Sequence, residues 1–138
     1  MLKIVADTNV LVSALIRNGK PHELILRIDG IEVILISSNI LMVELTSVLA
    51  QERIARYAGR RDIERFLRYV GKRTTLIKVR SKFKVVEEDP KDDVVLNTAY
   101  SGNVDYIISG DKHLKALREF KGIRIVTVSE MFDILGRM

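Results

Sequence analysis

The sequence of 138 residues contains no cysteine, which excludes disulfide bonds, thiolate chemistry and cysteine-based zinc sites. It has only two histidines, His22 in a predicted loop and His113 early in a predicted helix. We expect both to be solvated and neither to act as a metal ligand or catalytic base. Any metal site in this chain is therefore expected to be built from oxygen ligands.

Long apolar runs are also missing, and none approaches the roughly 20 residues that cross a bilayer. The first predicted strand begins at residue 3, which leaves no room for a signal peptide before the fold. The chain length is that of one domain with its own core. We therefore expect a single domain over residues 1–138 that is cytoplasmic and makes no membrane contact.

Three common catalytic or binding motifs are absent as well. Gly19-Lys20 is followed by Pro21, so there is no phosphate-binding loop. No Gly-x-Gly-x-x-Gly follows the first strand, so a dinucleotide fold would lack its phosphate turn. Ser13 and Ser109 have no histidine and acid partners suited to acyl transfer.

Short apolar runs alternate with amphipathic segments along the chain, which predicts an α/β fold with helices on both faces of a mainly parallel sheet. About five strands are expected, near residues 4–6, 31–36, 75–79, 106–108 and 124–128, the third at a sheet edge. A first helix is expected after residue 9, a second over 21–29 that ends at Gly30, and a third from a cap at 37–39 to about residue 50. Two helices are expected within 51–73, separated near Gly59, and another over 89–100. A short helix is expected to begin at Asp111, and a last helix to follow a cap at Ser129.

The first strand, Ile4-Val5-Ala6, ends on Asp7, Thr8 and Asn9, directly before an amphipathic helix. Ligands of open α/β sheets bind at the carboxyl ends of the strands, so Asp7 is a candidate functional residue. The alternative is that Thr8 or Asn9 caps the helix and Asp7 is a solvated turn residue. This stretch alone favours neither interpretation. The acids at similar positions further along the chain favour the interpretation of Asp7 as a functional residue.

Two more carboxylates occupy positions of the same kind. Asp111 follows the strand Ile107-Ile108 and begins a helix, which repeats the placement of Asp7, although capping alone would also explain it. Glu44 lies in the helix after the second strand, on the stripe that contains Leu41, Leu45 and Val48. A carboxylate on a buried stripe needs a partner. The alternative for Glu44 is an edge position in contact with water or with Arg53.

The segment 87–93 contains five acids in seven residues. Asp89 is suited to the N-cap of the following helix and Pro90 to its first position. Asp92 shares a helical stripe with Val95, Leu96 and Ala99, which makes it the better inward-pointing candidate, and Asp93 remains the second. Acids gathered without matching bases raise one another's pKa, and a hard divalent cation such as Mg²⁺ or Mn²⁺ would keep them ionised.

Positive charge is concentrated in one part of the chain. The formal net charge is +5, yet residues 53–84 contain twelve Lys or Arg and two acids, a balance of +10, so the remainder is −5. A basic surface beside an acidic pocket is suited to a phosphate backbone and the cations that act on it. Within this segment Arg60, Arg61, Arg65 and Arg68 are predicted to line a helix surface that binds backbone phosphates, and the alternative is a solvated face that only aids solubility.

The sequence resembles the PIN-domain family of metal-dependent ribonucleases over almost its whole length, which implies a PIN-like form of the predicted fold. The resemblance rests on the opening Asp7–Ser13, on Glu44, on the Asp89-Pro90-Lys91-Asp92-Asp93 segment leading to Ala99, and on Asp105–Leu114. It implies an acidic quartet that holds the metal and catalyses the reaction, composed of Asp7, Glu44, Asp92 and Asp111. Asn9 and Ser109 would be polar companions, and the doubled acid leaves Asp93 as a further metal ligand to consider.

The resemblance implies hydrolysis of RNA phosphodiesters to 5′-phosphate and 3′-hydroxyl ends, with one or two Mg²⁺ or Mn²⁺ ions as cofactor. Single-stranded RNA is the implied substrate. Many relatives are toxins of toxin–antitoxin pairs, so an antitoxin protein and a homodimer or higher homo-oligomer are the implied partners. Two other classes remain open, a non-catalytic RNA-binding module on the same scaffold and a phosphoacceptor receiver domain. The receiver is disfavoured because its acids should pair at the end of the first strand, where this chain has only Asp7.

Overall fold

The computed structural model describes residues 1–28 and 33–138. The strands are β1 (Leu2–Ala6), β2 (Val33–Ser37), β3 (Thr74–Leu76), β4 (Tyr106–Ile108), β5 (Glu119–Phe120) and β6 (Ile123–Val126). The helices are α1 (Thr8–Ile16), α2 (Lys20–Ile28), α3 (Asn39–Leu49), α4 (Glu52–Ala55), α5 (Arg60–Arg73), α6 (Pro90–Ser101), α7 (Lys112–Leu117) and α8 (Val128–Gly136). Within the described ranges no helix has the length and apolar character needed to cross a membrane.

The six strands form one sheet in the order β3-β2-β1-β4-β6-β5. Every neighbouring pair is parallel except β5 and β6, which are antiparallel. Ile4 of β1 pairs with Leu35 of β2 on one side and with Tyr106 of β4 on the other. The carboxyl ends of β2, β1 and β4 therefore lie side by side at one edge, as ligand sites of open α/β sheets require.

The central strand β1 is buried on both faces, which is typical of a parallel sheet between two helical layers. Ile4 and Ala6 pack with residues of α1, α3 and α8 on one face, and Val5 packs with α6 and α7 on the other. Full burial of a side chain such as Ile4 contributes about 1.5–3 kcal/mol to stability. The predicted three-layer α/β/α architecture with a mainly parallel sheet is confirmed.

Two contacts fix α6 against the edge of the sheet where the acids converge. Gly102, just after α6, lies so close to β2 that a Cβ atom there would be 2.7 Å from Ile36 Cγ2. The buried hydroxyls of Ser38 and Thr98 are 2.9 Å apart and join the start of α3 to α6. The C-terminal half of α6 is thereby fixed against β2 and against the start of α3, the helix that contains Glu44.

Several predicted boundaries differ from the structure. The sheet of the described residues has six strands where about five were predicted. The additional strand, β5, is only two residues long, which is too short a pattern to predict from the sequence. The last helix is capped by Thr127 in a capping box with Glu130, and the predicted cap, Ser129, lies inside the helix. β3 is at the sheet edge, as predicted. The predicted stop at Gly30 and the first two residues of the second strand, 31–32, lie outside the described residues.

Candidate metal centre

Asp7 and Asp111 meet at the carboxyl edge of the sheet through a buried serine. Asp7 follows β1, and its Oδ2 accepts a 2.7 Å hydrogen bond from Ser109 Oγ, which is fully buried. Ser109 Oγ in turn accepts the backbone N–H of Asp111 at 3.0 Å. Because β1 and β4 are parallel neighbours, the residues that follow them reach the same place, as the sequence predicted.

Asp111 also caps α7, since its Oδ1 accepts the backbone N–H groups of His113 at 2.9 Å and Leu114 at 3.1 Å. Burial acts to raise the pKa of the Asp111 carboxyl, but these amides and a hydrogen bond from the Asp92 carboxyl outweigh it. The pKa of Asp111 is therefore lowered, and this carboxylate is kept ionised.

Asp92 supplies the strongest indication of a cation site. One carboxylate oxygen each of Asp89, Asp92 and Asp111 lies within 4.8 Å of the others. Asp92 is only 5% exposed, and its buried Oδ2 accepts no hydrogen bond from any described residue. An ionised buried oxygen without a donor costs free energy unless a cation contacts it. Three converging carboxylates with this orphaned oxygen fit a hard divalent cation with all-oxygen ligation.

Crowding of the acids disturbs their ionisation. The pKa of Asp92 is raised to about 7, mainly by burial. A hydrogen bond that Asp92 donates to Asp111 raises it further, as does repulsion from the charges of Asp111, Asp89 and Asp7. Burial likewise raises the pKa of Asp7, with further repulsion from Asp111 and Glu44, against the lowering effect of the Ser109 hydrogen bond. The position of Asp92 in the first turn of α6 offsets part of this cost, because a helix N-terminus favours negative charge.

We expect the affinity for Mn²⁺ to fall as the pH drops through about 7, because a proton on Asp92 then competes with the cation. Displacement of one proton predicts a loss of roughly tenfold per pH unit below that pKa. Calorimetric titrations with Mn²⁺ from about pH 6 to about pH 8 measure this dependence. Asp92→Asn should bind more weakly at every pH and without the inflection, whereas a flat wild-type profile would contradict the expectation.

Glu44 approaches the same edge from α3 and is half-buried. Its Oε2 accepts a 2.9 Å hydrogen bond from the hydroxyl of Thr8, the residue after Asp7. Its charge is close enough to raise the pKa of Asp7. Glu44 therefore has a local partner in Thr8, and the four predicted acids all belong to one electrostatic group.

Asp93 points away from this group. Its Oδ1 accepts the backbone N–H groups of Val85 and Val86, both at 2.9 Å. Asp92 and Asp93 are adjacent in sequence but about 100° apart around a helix, so only one of them can face the acidic edge. The structure gives that position to Asp92 and an anchoring role to Asp93.

Two residues of the site have functions beyond those the sequence suggested. Asp89 caps α6 by accepting the backbone N–H of Lys91 at 3.1 Å, as predicted, but its carboxylate also joins Asp92 and Asp111. Thr8, considered only as a helix cap, positions Glu44. The signals were present in the run of acids at 87–93 and in the polar residues after β1, but capping explained both equally well.

The remaining candidates are less closely involved. Asn9 is exposed, and its backbone N–H rather than its side chain helps to lower the pKa of Asp7. His22 lies in α2, which matches the helix predicted over 21–29 and not the loop predicted for this residue; it is half-buried, and its Nδ1 is 3.0 Å from the Ala14 carbonyl oxygen. His113 is half-buried rather than fully solvated, and its charge lowers the pKa of Asp111.

The four predicted RNA-binding arginines of α5 are exposed: Arg60, Arg61, Arg65 and Arg68. Arg60 forms an ion pair with Glu64 at 3.3 Å, one turn further along the same helix. An exposed pair of this kind contributes little to stability, about 0.3–0.5 kcal/mol. The positive surface of α5 is therefore open to solvent along its length.

The fold and the site define an α/β protein with an all-carboxylate centre at the carboxyl edge of a parallel sheet. Residues 3–113 match the PIN domain, and the chain belongs to the PIN-domain family. PIN domains are generally nucleases.

The chain is also similar to two individual proteins. The chain is 30% identical over 120 residues to the uncharacterized protein MJ1680 of Methanocaldococcus jannaschii, covering 86% of this chain and 76% of that protein. Its fold is similar to that of a chain in the crystal structure of VapBC2 from Rickettsia felis bound to a DNA fragment from their promoter. That match has a TM-score of 0.62 and 11% identity, and covers 91% of this chain and 98% of the other.

Proposed function

We propose that the protein is a metal-dependent endoribonuclease that hydrolyses phosphodiester bonds of single-stranded RNA. The observation that carries the proposal is the buried Oδ2 of Asp92, which has no hydrogen-bond donor among the described residues and lies in a cluster with Asp89 and Asp111. Carboxylate oxygens are the ligands that Mg²⁺ and Mn²⁺ prefer. An acidic pocket without a cation would repel the phosphate that it must bind.

Each acid has a proposed role that follows from its contacts. Asp92 and Asp111 would hold one or two Mg²⁺ or Mn²⁺ ions between them, and Asp7, oriented by Ser109, would complete the ligand set. Glu44, held by Thr8, would reach the same centre from α3. A divalent cation held by these acids would supply Lewis-acid chemistry, making a water more nucleophilic and offsetting negative charge on the leaving oxygen, and the proposed products have 5′-phosphate and 3′-hydroxyl ends.

The basic segment 53–84 would hold the RNA by its phosphates, which gives affinity without sequence choice. The α5 arginines are proposed to make such contacts: Arg60, Arg61, Arg65 and Arg68. The same surface supports a second candidate function, a non-catalytic RNA-binding module, which would retain the affinity without cleavage. A metal-dependence assay distinguishes the two functions because only the nuclease requires the acidic centre.

Membership of the PIN-domain family also supports a biological role as the toxin of a toxin–antitoxin pair. In that role an antitoxin protein would bind the chain and restrain its nuclease activity. We further propose that it assembles as a homodimer or higher homo-oligomer and acts in the cytoplasm, where its RNA substrates are found. Light scattering of the purified protein tests the assembly independently of activity.

We expect the purified protein to cleave single-stranded RNA with Mn²⁺ or Mg²⁺ and to be silenced by excess EDTA. The physical reason is that every proposed ligand is a carboxylate, and carboxylates alone supply no positive charge to stabilise the transition state. Gel analysis of a 5′-labelled oligonucleotide measures cleavage, and mapping of the new ends identifies the products. A preparation of the Asp7→Asn variant, purified identically, controls for contaminating nucleases.

Cleavage that persists in excess EDTA and exceeds that of the Asp7→Asn preparation would contradict the metal mechanism. RNA binding without cleavage in any divalent cation would instead favour the binding module.

A further inference from the structure

Residues 77–86, between β3 and α6, form a segment that we call the strap. Its side chains alternate strictly from Ile77 to Val85 between half-buried and exposed, which is the period of an extended chain. The half-buried residues are Ile77, Val79, Ser81, Phe83 and Val85. The exposed residues are all basic: Lys78, Arg80, Lys82 and Lys84. Four positive charges therefore share one side of an extended strap.

At its start the strap is joined to β2, where the backbone N–H of Ile77 donates to the Ser37 carbonyl oxygen at 2.9 Å, and beyond Ile77 it is held by side chains of α6. Asn97 clasps Phe83, accepting its backbone N–H at 2.8 Å and donating to its carbonyl oxygen at 3.0 Å. Ser101 Oγ accepts the backbone N–H of Arg80 at 3.0 Å, and Asp93 holds the far end. The Phe83 ring packs edge-on against Phe120 with their centroids 5.4 Å apart. The basic side chains thus project from a fixed support.

An open groove of about 770 Å³ lies between the strap and the start of α6. Its apolar lining includes Ile40, Phe83, Pro90 and Val94, and its charged lining residues are Lys82, Lys84, Glu87 and Asp93. Ile40 is 59% exposed and gives the groove an accessible apolar surface. Pro90 directly follows Asp89, so the groove adjoins the acidic centre on the neighbouring side of α6.

We propose that the strap and its groove bind single-stranded nucleic acid next to the acidic centre, with phosphates on the basic residues and a base in the groove. Alternate residues of an extended chain are about 6.6 Å apart, which allows successive phosphates of one strand to be contacted in turn. Apolar groove walls accept unpaired bases without a sequence requirement. Charge complementarity selects a polyanion over an apolar peptide, since Lys82 and Lys84 line the groove and Lys78 and Arg80 continue the same basic side of the strap. The Asp93 carboxylate in the lining is already bonded to two backbone amides.

Two acidic residues that follow the strap limit the extent of this basic surface. Glu87 and Glu88 are exposed between Lys84 and Asp89, and their charges repel phosphate. The strand is therefore expected to follow the strap from Lys78 to Lys84, and to cross towards Asp92 where cations compensate the negative charge. This inference deepens the proposed function and rests on it for its biological meaning, but its binding test needs neither metal nor cleavage.

The experiment measures binding of a fluorescent single-stranded RNA of about twelve nucleotides, a length within the site sizes of single-strand grooves. Fluorescence anisotropy is recorded in EDTA, at several salt concentrations, with the full-length protein. The strap variant replaces all four exposed bases: Lys78→Gln, Arg80→Gln, Lys82→Gln and Lys84→Gln. The charge-matched control replaces four exposed bases elsewhere: Arg17→Gln, Lys20→Gln, Arg27→Gln and Arg137→Gln. Each set lowers the formal net charge from +5 to +1.

The strap variant is expected to bind the RNA at least about tenfold more weakly than the control at low salt. Its plot of log affinity against log salt should be flatter by about 0.7 for each phosphate that the variant no longer neutralises, or roughly two to three units for all four. Equal slopes and affinities in the strap and control variants would overturn the proposal. Because all eight side chains are exposed, both proteins should fold, and thermal melts verify this.

A second pair of variants tests the groove itself. Ile40→Ser should weaken binding about threefold or more with an unchanged salt slope, because it removes an apolar contact and no charge. The control is Leu26→Ser on α2, which is 56% exposed and therefore comparable. Single-stranded DNA of the same sequence should bind similarly and a duplex more weakly, since paired bases cannot enter the groove. Equal binding of the duplex, or no effect of Ile40→Ser beyond its control, would overturn the role of the groove.

The outcomes for binding and for catalysis can be read separately. Strap-dependent binding in EDTA without cleavage in Mn²⁺ would overturn the nuclease function and leave the binding surface in place. Metal-dependent cleavage together with a strap variant that binds RNA like its control would support the nuclease function and overturn the binding surface. Failure of the wild type to bind any single strand, together with saturable binding of a purified antitoxin at Ile40, would assign the groove to a protein and overturn the proposal.

Discussion

Asp7→Asn is expected to abolish metal-dependent RNA cleavage, lowering the rate by about a hundredfold or more, while the metal-free protein becomes somewhat more stable. Loss of residues that merely orient metal ligands costs about 10–100-fold, and a proposed direct ligand should cost more. Stability should rise because burial and the charges of Asp111 and Glu44 oppose ionisation of Asp7. An asparagine oxygen can still accept the hydrogen bond that Ser109 donates at 2.7 Å.

Cleavage rates in Mn²⁺ and thermal melts in EDTA test the two parts of this expectation. Asp133→Asn on α8 is a suitable control, because Asp133 is exposed and the charge change is the same. The melting temperature of Asp7→Asn should exceed that of the control by a few degrees. A large drop would mean that the Asp7 carboxylate stabilises the start of α1, where Asp7 is the N-cap residue.

Asp92→Asn and Asp93→Asn are expected to separate catalysis from stability, although the two residues are adjacent and the substitutions identical. Asp92 lies in the acidic centre with an unpaired oxygen, so Asp92→Asn should lower cleavage by about a hundredfold or more and leave the fold intact. Asp93 holds the backbone of Val85 and Val86. Asp93→Asn keeps an accepting oxygen and should therefore retain most activity.

Asp93→Ala completes this comparison by removing the acceptor altogether. Leaving two partly buried amides without their partner should cost about 1–3 kcal/mol of stability. Chemical denaturation measures the loss, and Mn²⁺ titration shows whether the metal affinity changes. If Asp93→Asn lost activity while Asp92→Asn kept it, the roles assigned to the two acids would be reversed.

The helix phase of α6 could be read correctly from the sequence because its apolar residues recur with the period of a helix. Asp92 shares the stripe of Val95, Leu96 and Ala99, and all three are buried as that stripe predicts. The convergence of Asp7 and Asp111 was predictable for a similar reason, since parallel strands end at one edge of a sheet. These predictions depend on local periodicity and on a general rule of sheet topology.

The role of Asp89 could not be predicted in the same way. An N-cap residue and a metal ligand use the same carboxylate, and the capping interpretation was sufficient by itself. Only the placement of α6 against the sheet, through Gly102 and the Ser38–Thr98 hydrogen bond, brings Asp89 close to Asp111. The partner of Glu44 was likewise hidden, because Thr8 and Glu44 are 36 residues apart.

The sequence by itself determined the α/β class, the buried central strand and the positions of the four acids, since each depends on short-range patterns of apolar and polar residues. The tertiary structure alone decided how residues 77–86 are used. An edge strand was predicted over 75–79, but sheet pairing ends near Leu76, and beyond the bond from Ile77 to Ser37 the side chains of α6 supply the hydrogen bonds. An alternating pattern specifies an extended chain with one covered side, and the fold determines whether a strand or a helix provides that cover.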